Sequence, residues 1–301
     1  MSSTFSFRGT ATALVTPMMP TGEVDKEALE RLVEFQITNG ISALVPVGTT
    51  GESATLSHPE HHHVMDIVAA KANKRVPIIV GAGSNSTREA ISLTQHARAI
   101  GADAVLSVGP YYNKPTQQGF FEHYKAIAET VDIPVFVYNV PGRTGSNITA
   151  ETTLRLAEIP GIAGIKEASG NFAQIMEILR HRPKNFTVVS GDDAITMPMM
   201  VLGADGVISV VANEVPGEFS RMVKLCLLGD FVHAREIHER LLTLMNLNFI
   251  ESNPIPVKAA LAMMGMINEV YRLPLVKMGK ENRLKLQKAL EELSLIKEAV
   301  K

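Results

Sequence analysis

Eight short runs rich in valine and isoleucine recur along the chain, and longer amphipathic segments separate them. The runs are continuously apolar rather than alternating, which is typical of parallel strands buried on both faces. They are Thr10–Thr16, Ile41–Val47, Val76–Gly81, Ala104–Val108, Pro134–Val140, Ile162–Ile165, Phe186–Ser190 and Gly206–Val211. Eight β/α units over about 220 residues predict an α/β fold, the (β/α)8 or TIM barrel, which typically spans about 250 residues.

Local patterns between the runs support this prediction. Lys26–Asn39 carries apolar residues at helical spacing. Ser86 followed by Glu89 predicts a capping box for the next helix. Gly101–Val108 recurs with small changes as Gly203–Val210, each copy a helix end followed by a buried strand. A doubly wound sheet is the alternative, but the sequence lacks the glycine-rich phosphate loop typical of that fold.

The strand pattern stops after Gly229. Three amphipathic segments follow and predict helices at Phe231–Asn246, Ile255–Met266 and Arg283–Ala299. We therefore expect a barrel over residues 1–229 and a C-terminal helical extension over residues 230–301.

Composition excludes several classes of function. With 29 Lys and Arg against 31 Asp and Glu, the net charge is −2, which gives no reason to expect nucleic acid or an anionic membrane as partner. The single Cys226 excludes an internal disulfide and a cysteine-based zinc site. No apolar stretch reaches the roughly 18–20 residues of a membrane span, and Met1–Phe7 lacks a signal-peptide pattern. We expect a cytoplasmic protein.

The residue that most strongly suggests catalysis is Lys166, which directly follows the sixth apolar run. Active sites of TIM barrels lie at the carboxyl ends of the strands. Burial would lower the pKa of this amine and supply the neutral form that a Schiff base needs. The other interpretation is an ion pair with Glu167 or a nearby aspartate, and the sequence leaves both open.

Other strand ends carry polar residues that are individually ambiguous. Tyr138 is either a core tyrosine or part of a proton relay. Thr49 and Thr50 between glycines form either a simple turn or a cradle for a carboxylate. Arg143 is either a solvated surface residue or a bidentate partner of a substrate carboxylate. Asp192 and Asp193 are either paired acids or helix caps, and they would repel a phosphate.

Four motifs of the chain, considered together, are similar to those of a known protein family. They are Gly48-Thr49-Thr50-Gly51-Glu52, the strand-six lysine, Tyr138–Gly145 and Asn253–Lys258. From about Phe7 to the last helix, the chain resembles the pyruvate-dependent class I aldolase and lyase family. Arg143 is typical of the branch that condenses pyruvate with L-aspartate 4-semialdehyde, because sialic acid lyases lack this arginine.

The resemblance implies a role for four residues in the reaction. Lys166 would form a Schiff base with pyruvate that becomes an enamine nucleophile. Tyr138 would move protons in a relay completed by Thr49 and Tyr112, and Tyr112 would reach into the site of a second copy across a tight dimer interface. This route needs no metal and no cofactor. The product would be the hydroxylated tetrahydrodipicolinate that feeds diaminopimelate and lysine synthesis.

Substrate contacts are also implied by the resemblance. Thr50 and Ile208 would contact pyruvate, the latter through its backbone, and Gly191 would lie near the site. Arg143 would hold the carboxylate of L-aspartate 4-semialdehyde. The family usually assembles as a tetramer built from two dimers, and dimers also occur.

Feedback inhibition by L-lysine is a further expectation from the resemblance. The matching positions are Ser53, Ala54, His58, His61, Asn85, Glu89 and Tyr111. The predicted capping box offers a purely local explanation for Glu89. The nearest alternative function is that of a related aldolase, such as N-acetylneuraminate lyase. A barrel that has lost catalysis is the other alternative, although Lys166 and Tyr138 are both present.

Overall fold

Eight strands alternate with helices along residues 5–297, which the computed structural model describes. The strands are β1 (Gly9–Ala13), β2 (Ala43–Val45), β3 (Ile79–Gly81), β4 (Ala104–Val108), β5 (Val135–Asn139), β6 (Ile162–Glu167), β7 (Thr187–Ser190) and β8 (Gly206–Ser209). They pair in parallel in the order β2-β1-β8-β7-β6-β5-β4-β3, and a parallel bridge between Leu44 and Ile78 joins β2 to the segment that leads into β3. The predicted TIM barrel is confirmed.

Helices surround this sheet and continue beyond it. They are α1 (Lys26–Thr38), α2 (His58–Ala72), α3 (Thr87–Ala99), α4 (Gln117–Thr130), α5 (Pro141–Thr144), α6 (Ala150–Ala157), α7 (Phe172–His181), α8 (Thr196–Val201), α9 (Pro216–Leu227), α10 (Phe231–Leu247), α11 (Ile255–Met263) and α12 (Lys280–Glu292). Three helices therefore follow the barrel, as predicted. The last begins three residues before the predicted Arg283, and residues 298 and 299 of that prediction lie outside the described residues. The division at residue 229 stays a prediction.

The strands are continuously apolar because each has two buried faces. Inward-facing residues such as Phe136 and Val189 pack against one another inside the barrel. Their neighbours Val135 and Val188 belong to the larger core between the sheet and the helices. Side chains alternate between the faces of a strand, so both sets of positions must be apolar.

One local prediction is wrong. Ser86 precedes α3, but its side chain accepts no hydrogen bond from that helix. The capping box lies instead at the start of α2, between Ser57 and Glu60. The carboxylate of Glu89 is held by Ser84 and His58, so it is not available to the amide of Ser86.

The C-terminal part of the chain is attached to the loop that follows β2 and to α2. Lys258 in α11 forms an ion pair with Glu52, and neither side chain is exposed. Asn253 donates to the hydroxyl of Thr50 at 3.0 Å, and Arg272 forms an ion pair with Glu60. The extension therefore helps to hold the strand ends in place. Over the described part of the chain, no helix combines the length and the apolarity that crossing a membrane requires.

Candidate active site

Lys166 and Tyr138 are direct neighbours across the β5–β6 pair. Their Cα atoms are register partners, so both side chains point into the barrel at its carboxyl end. The Nζ atom of Lys166 lies 4.3 Å from the centre of the Tyr138 ring. The exposed fractions of the two residues are only 5% and 7%. The structure thus brings together the amine and the phenol that were ambiguous one at a time.

The amine of Lys166 has no ionic partner among residues 5–297. Glu167 follows it on β6 and faces the other side of the sheet, where its carboxylate accepts from Asn139 at 3.0 Å and from Gln174 at 3.3 Å. The ion pair with Glu167 is therefore not formed. Burial lowers the pKa of Lys166 to about 8; Asp193 opposes this shift and Arg143 adds to it. A larger share of the amine is neutral near pH 7 than in an exposed lysine.

The phenol of Tyr138 keeps its proton at neutral pH. Burial is the main cause that raises its pKa to about 12, with Asp192 adding to the shift and Arg143 opposing it. A neutral hydroxyl both donates and accepts hydrogen bonds, so it suits the relay of a proton better than the storage of a charge.

A cavity of about 50 Å³ opens above these two residues, and we call it the strand-end cavity. Six of the predicted catalytic and substrate-binding residues line it: Lys166, Tyr138, Thr49, Thr50, Arg143 and Gly191. Its apolar walls come from strand residues such as Val45 and Leu106. The six polar or glycine positions come from four different strand ends, as expected of a TIM-barrel site.

The turn after β2 has the properties of an anion cradle. The backbone N–H groups of Thr49 and Thr50 donate no hydrogen bond to any group within residues 5–297. The hydroxyl of Thr50 is fixed by Asn253, and Gly51 donates back to the carbonyl of Gly48. Amide groups held in this way favour a carboxylate or another oxyanion.

Gly191 is required at its position because Lys166 fills the space beside it. A Cβ atom there would lie 2.9 Å from Cε of Lys166 and 2.7 Å from Cβ of Ala168. We expect Gly191→Ala to displace the amine and to lower turnover about a hundredfold, because a displacement near 1 Å has this effect on a reacting group. Steady-state kinetics checks this. Gly217→Ala is the matched control, since its Cβ meets only ordinary contacts at 3.6 Å. Equal turnover in both variants would contradict the prediction.

Two predicted site residues lie outside the strand-end cavity. Ile208 is buried in the inner core of the barrel, and Val210 lines the cavity two residues later. Tyr112 is 90% exposed and has a φ of +71°, an unfavourable backbone conformation for a residue with a side chain. Within one copy of the chain, Tyr112 does not contribute to the site.

A second cavity of about 400 Å³ adjoins the first, and we call it the side cavity. The two cavities share six lining residues: Thr49, Ser53, Gly83, Val108, Arg143 and Asn253. Six of the seven positions predicted for an inhibitor line the side cavity: Ser53, Ala54, His58, His61, Glu89 and Tyr111. The seventh, Asn85, is not a lining residue but donates to the carbonyl of Tyr111 at 3.1 Å.

Glu89 gives the side cavity a negative wall. Hydrogen bonds from the Ser84 hydroxyl and then from His58 lower the pKa of Glu89, so its carboxylate is ionised at neutral pH. Nε2 of His58 lies 2.6 Å from this carboxylate. The ring of His61 lies deeper, 2.9 Å from the carbonyl of Gly81, and burial lowers its pKa. The cavity therefore offers an anion and two imidazoles to a polar ligand.

The sequence assigned no role to Asn253 and left two interpretations open for Asp192 and Asp193. Asn253 lines both cavities, and its backbone carbonyl accepts a hydrogen bond from Arg143 at 3.3 Å. The sequence shows the motif that contains Asn253, but it gives no sign of this contact because the two residues are far apart along the chain. Asp193 is not a helix cap, since it accepts hydrogen bonds from Val210 and Val211 beyond β8. Asp192 accepts from the backbone N–H of Ala194 in the turn before α8, and no side chain caps that helix, so the helix-cap interpretation is wrong for both aspartates.

Known proteins are similar to this chain over nearly its whole length. The model of the dihydrodipicolinate synthetase family matches residues 6–293. The chain is 52% identical to a 4-hydroxy-tetrahydrodipicolinate synthase of Prosthecochloris aestuarii, over 98% of this chain and 100% of that protein.

Two solved structures are also similar over nearly the whole chain. The chloride-inhibited dihydrodipicolinate synthase from Acinetobacter baumannii, complexed with pyruvate, has a TM-score of 0.94 and 48% identity and covers 96% of this chain and 99% of its own. The enzyme from Cyanidioschyzon merolae with lysine bound has a TM-score of 0.94 and 42% identity, with coverage of 96% and 99%. The prediction of a lyase is confirmed, and the chain belongs to the dihydrodipicolinate synthetase family.

Proposed function

We propose that the chain condenses pyruvate with L-aspartate 4-semialdehyde to form 4-hydroxy-tetrahydrodipicolinate, the first committed step towards diaminopimelate and lysine. The placement of Lys166 beside Tyr138 at the strand ends carries this proposal. The neutral amine attacks the ketone of pyruvate, water leaves, and loss of a methyl proton gives an enamine. The enamine carbon attacks the aldehyde, and the amino group of the second substrate then closes the ring and displaces Lys166.

Each substrate carboxylate has a suitable partner in this arrangement. The free N–H groups of Thr49 and Thr50 favour the carboxylate of pyruvate beside Lys166. Arg143 lies where the strand-end cavity meets the side cavity, so its guanidinium is placed for the carboxylate of the second substrate. The similar enzyme from Acinetobacter baumannii was solved with pyruvate, which supports this choice of first substrate.

The test is pyruvate consumption with two competing aldehydes. Loss of pyruvate with L-aspartate 4-semialdehyde, and not with N-acetylmannosamine, is the expected result. Loss only with the sugar would keep the Schiff base but assign the chain to the N-acetylneuraminate lyase reaction. Loss with neither aldehyde would favour a barrel without catalysis.

The proposal extends to feedback inhibition by L-lysine in the side cavity. The negative wall at Glu89 suits an ammonium group, and the similar enzyme from Cyanidioschyzon merolae was solved with lysine bound. We expect millimolar-range lysine to lower the initial rate, and Glu89→Gln to raise the inhibition constant at least about tenfold, because a charged hydrogen bond is lost. Glu129→Gln on the exposed face of α4 is the matched control. An unchanged rate in lysine would refute this part of the proposal.

A second copy of the chain is the proposed partner. Tyr112 is fully presented to solvent in a strained conformation, which suits a side chain that enters a neighbouring site. Exposed apolar residues flank the same region: Tyr111 lines the side cavity, and Leu273 and Val276 border its lining residues Pro274 and Leu275. We propose a dimer through this face, and a tetramer when two dimers associate.

A further inference from the structure

The proposed reaction places a positive charge in a buried site. When the amine of Lys166 bonds to the ketone carbon, the ketone oxygen leaves as water and one proton is taken up, so neutral amine, ketone and proton become iminium and water. A buried cation is costly unless an anion lies close to it. Glu167 faces the opposite side of the sheet and is bonded there to Asn139 and Gln174. Besides the carboxylate of pyruvate itself, any compensating anion that the protein supplies has to come from another element.

Of the two acids that follow β7, Asp193 is buried and Asp192 is partly exposed. The exposed fraction of Asp193 is 1%. It comes two residues after Gly191, which lies against the side chain of Lys166. Its Oδ2 atom accepts from the backbone of Val210 at 3.0 Å and of Val211 at 2.8 Å, and Val210 lines the strand-end cavity together with Lys166. Its Oδ1 atom is buried and lacks a hydrogen-bond partner within the described ranges.

We propose that Asp193 is a positioning residue that supplies the negative charge for protonated Lys166 and for the iminium formed from it. The assignment rests on the proposed Schiff-base function. Asp193 would act through Lys166 rather than touch the substrate, and its two backbone hydrogen bonds would keep the carboxylate in place while the charge on nitrogen changes.

The charges around the two groups agree with the assignment. Asp193 raises the pKa of Lys166, whereas burial and Arg143 lower it. Burial and Asp192 raise the pKa of Asp193 to about 6, against the effect of Ser209 and two backbone amides, so the carboxylate is ionised above that pH. Burial and Asp193 raise the pKa of Glu214 well above its usual value, which favours its neutral form.

The test compares wild type with Asp193→Asn by trapping the iminium with borohydride in the presence of pyruvate, from about pH 6.5 upward. Protonated Lys166 and the iminium carry the same charge, so below the pKa of Lys166 the trapped fraction at subsaturating pyruvate does not depend on pH. Above that pKa the neutral amine must take up a proton to form the iminium, so the trapped fraction falls about tenfold per pH unit. Removing the anion should move the start of this fall about one pH unit lower. Damage to the fold alone would lower the trapped amount without moving that pH.

Glu214→Gln is the matched control, because it replaces a second buried acid that favours its neutral form and also has one unpartnered oxygen among the described residues. Its pH profile should coincide with that of wild type. If Asp193→Asn does not fold, Asp193→Ser makes the same comparison with a smaller neutral side chain. If the iminium is trapped in wild type and the pH profile of the Asp193 variant coincides with that of wild type, the assignment of Asp193 is overturned and the proposed function is not. Absence of trapping in wild type overturns the proposed function, and the assignment with it.

Discussion

Replacing Lys166 with alanine is expected to reduce pyruvate turnover to the uncatalysed background while the barrel stays folded. Lys166 carries the only amine among the described residues that line the strand-end cavity, so no neighbour could form the Schiff base instead. Its side chain makes no ion pair or hydrogen bond within residues 5–297. Removing a buried amine that has no direct hydrogen-bond or ion-pair partner relieves a desolvation cost, which offsets the lost packing of its methylene groups.

Two measurements separate the chemical role from the structural one. Borohydride treatment in the presence of pyruvate should leave a reduced pyruvate group on Lys166. Mass spectrometry should therefore detect added mass on the peptide that contains residue 166 in wild type, and none in Lys166→Ala. The thermal unfolding midpoint of the variant should stay near that of wild type. Lys125→Ala is the control, because Lys125 is half-exposed on α4 and its only described ion pair is with Glu129. Wild-type turnover in Lys166→Ala would falsify the Schiff-base mechanism.

Replacing Lys258 with methionine is expected to lower the free energy of unfolding by about 3–5 kcal/mol. Lys258 and Glu52 form an ion pair in which neither side chain is exposed. Methionine has a similar length but no charge, so it leaves the carboxylate of Glu52 buried without its ion-pair partner. The remaining contact of that carboxylate is a long one, 3.4 Å to the backbone of Arg272. Denaturant unfolding measures the loss.

A double variant distinguishes a lone buried charge from lost packing. Glu52→Gln with Lys258→Met removes both charges, so it should be more stable than the sum of the single changes implies. Lys26→Met is the surface control and should stay within about 0.5 kcal/mol of wild type, since Lys26 is exposed. A loss below about 1 kcal/mol in Lys258→Met would contradict the prediction. Because Glu52 follows Thr50 by two residues, the KM for pyruvate should also rise.

The barrel itself was predictable because burial on both faces is a local property of each strand. The run at Ala104–Val108 coincides with β4, and the first predicted helix ends one residue later than α1. Strand ends were less accurate. β6 continues through Lys166 and Glu167 because these residues still pair with β7, although their polarity breaks the apolar run. Leu14 and Val15 continue the first apolar run but lie beyond β1.

A prediction from a local motif was wrong where residues outside the motif bind the same side chain. Glu89 has the spacing of a capping box with Ser86, but Ser84 and His58 hold its carboxylate at the side cavity. The same pattern at Ser57 and Glu60 does form a capping box, and Glu60 also pairs with Arg272. A motif of four residues contains no information about such distant partners.

The sequence by itself therefore determined the eight strands, the C-terminal helices and the residue types that Schiff-base chemistry needs. Each of these depends only on the residue types and their spacing within a short stretch of the chain. Tertiary structure alone decided which side chains meet. Closing the barrel set Lys166 beside Tyr138 and turned Glu167 away from the amine. Packing of α11 joined Lys258 to Glu52, residues that are 206 positions apart. Such contacts depend on how loops and helices settle on the finished sheet, which no local pattern encodes.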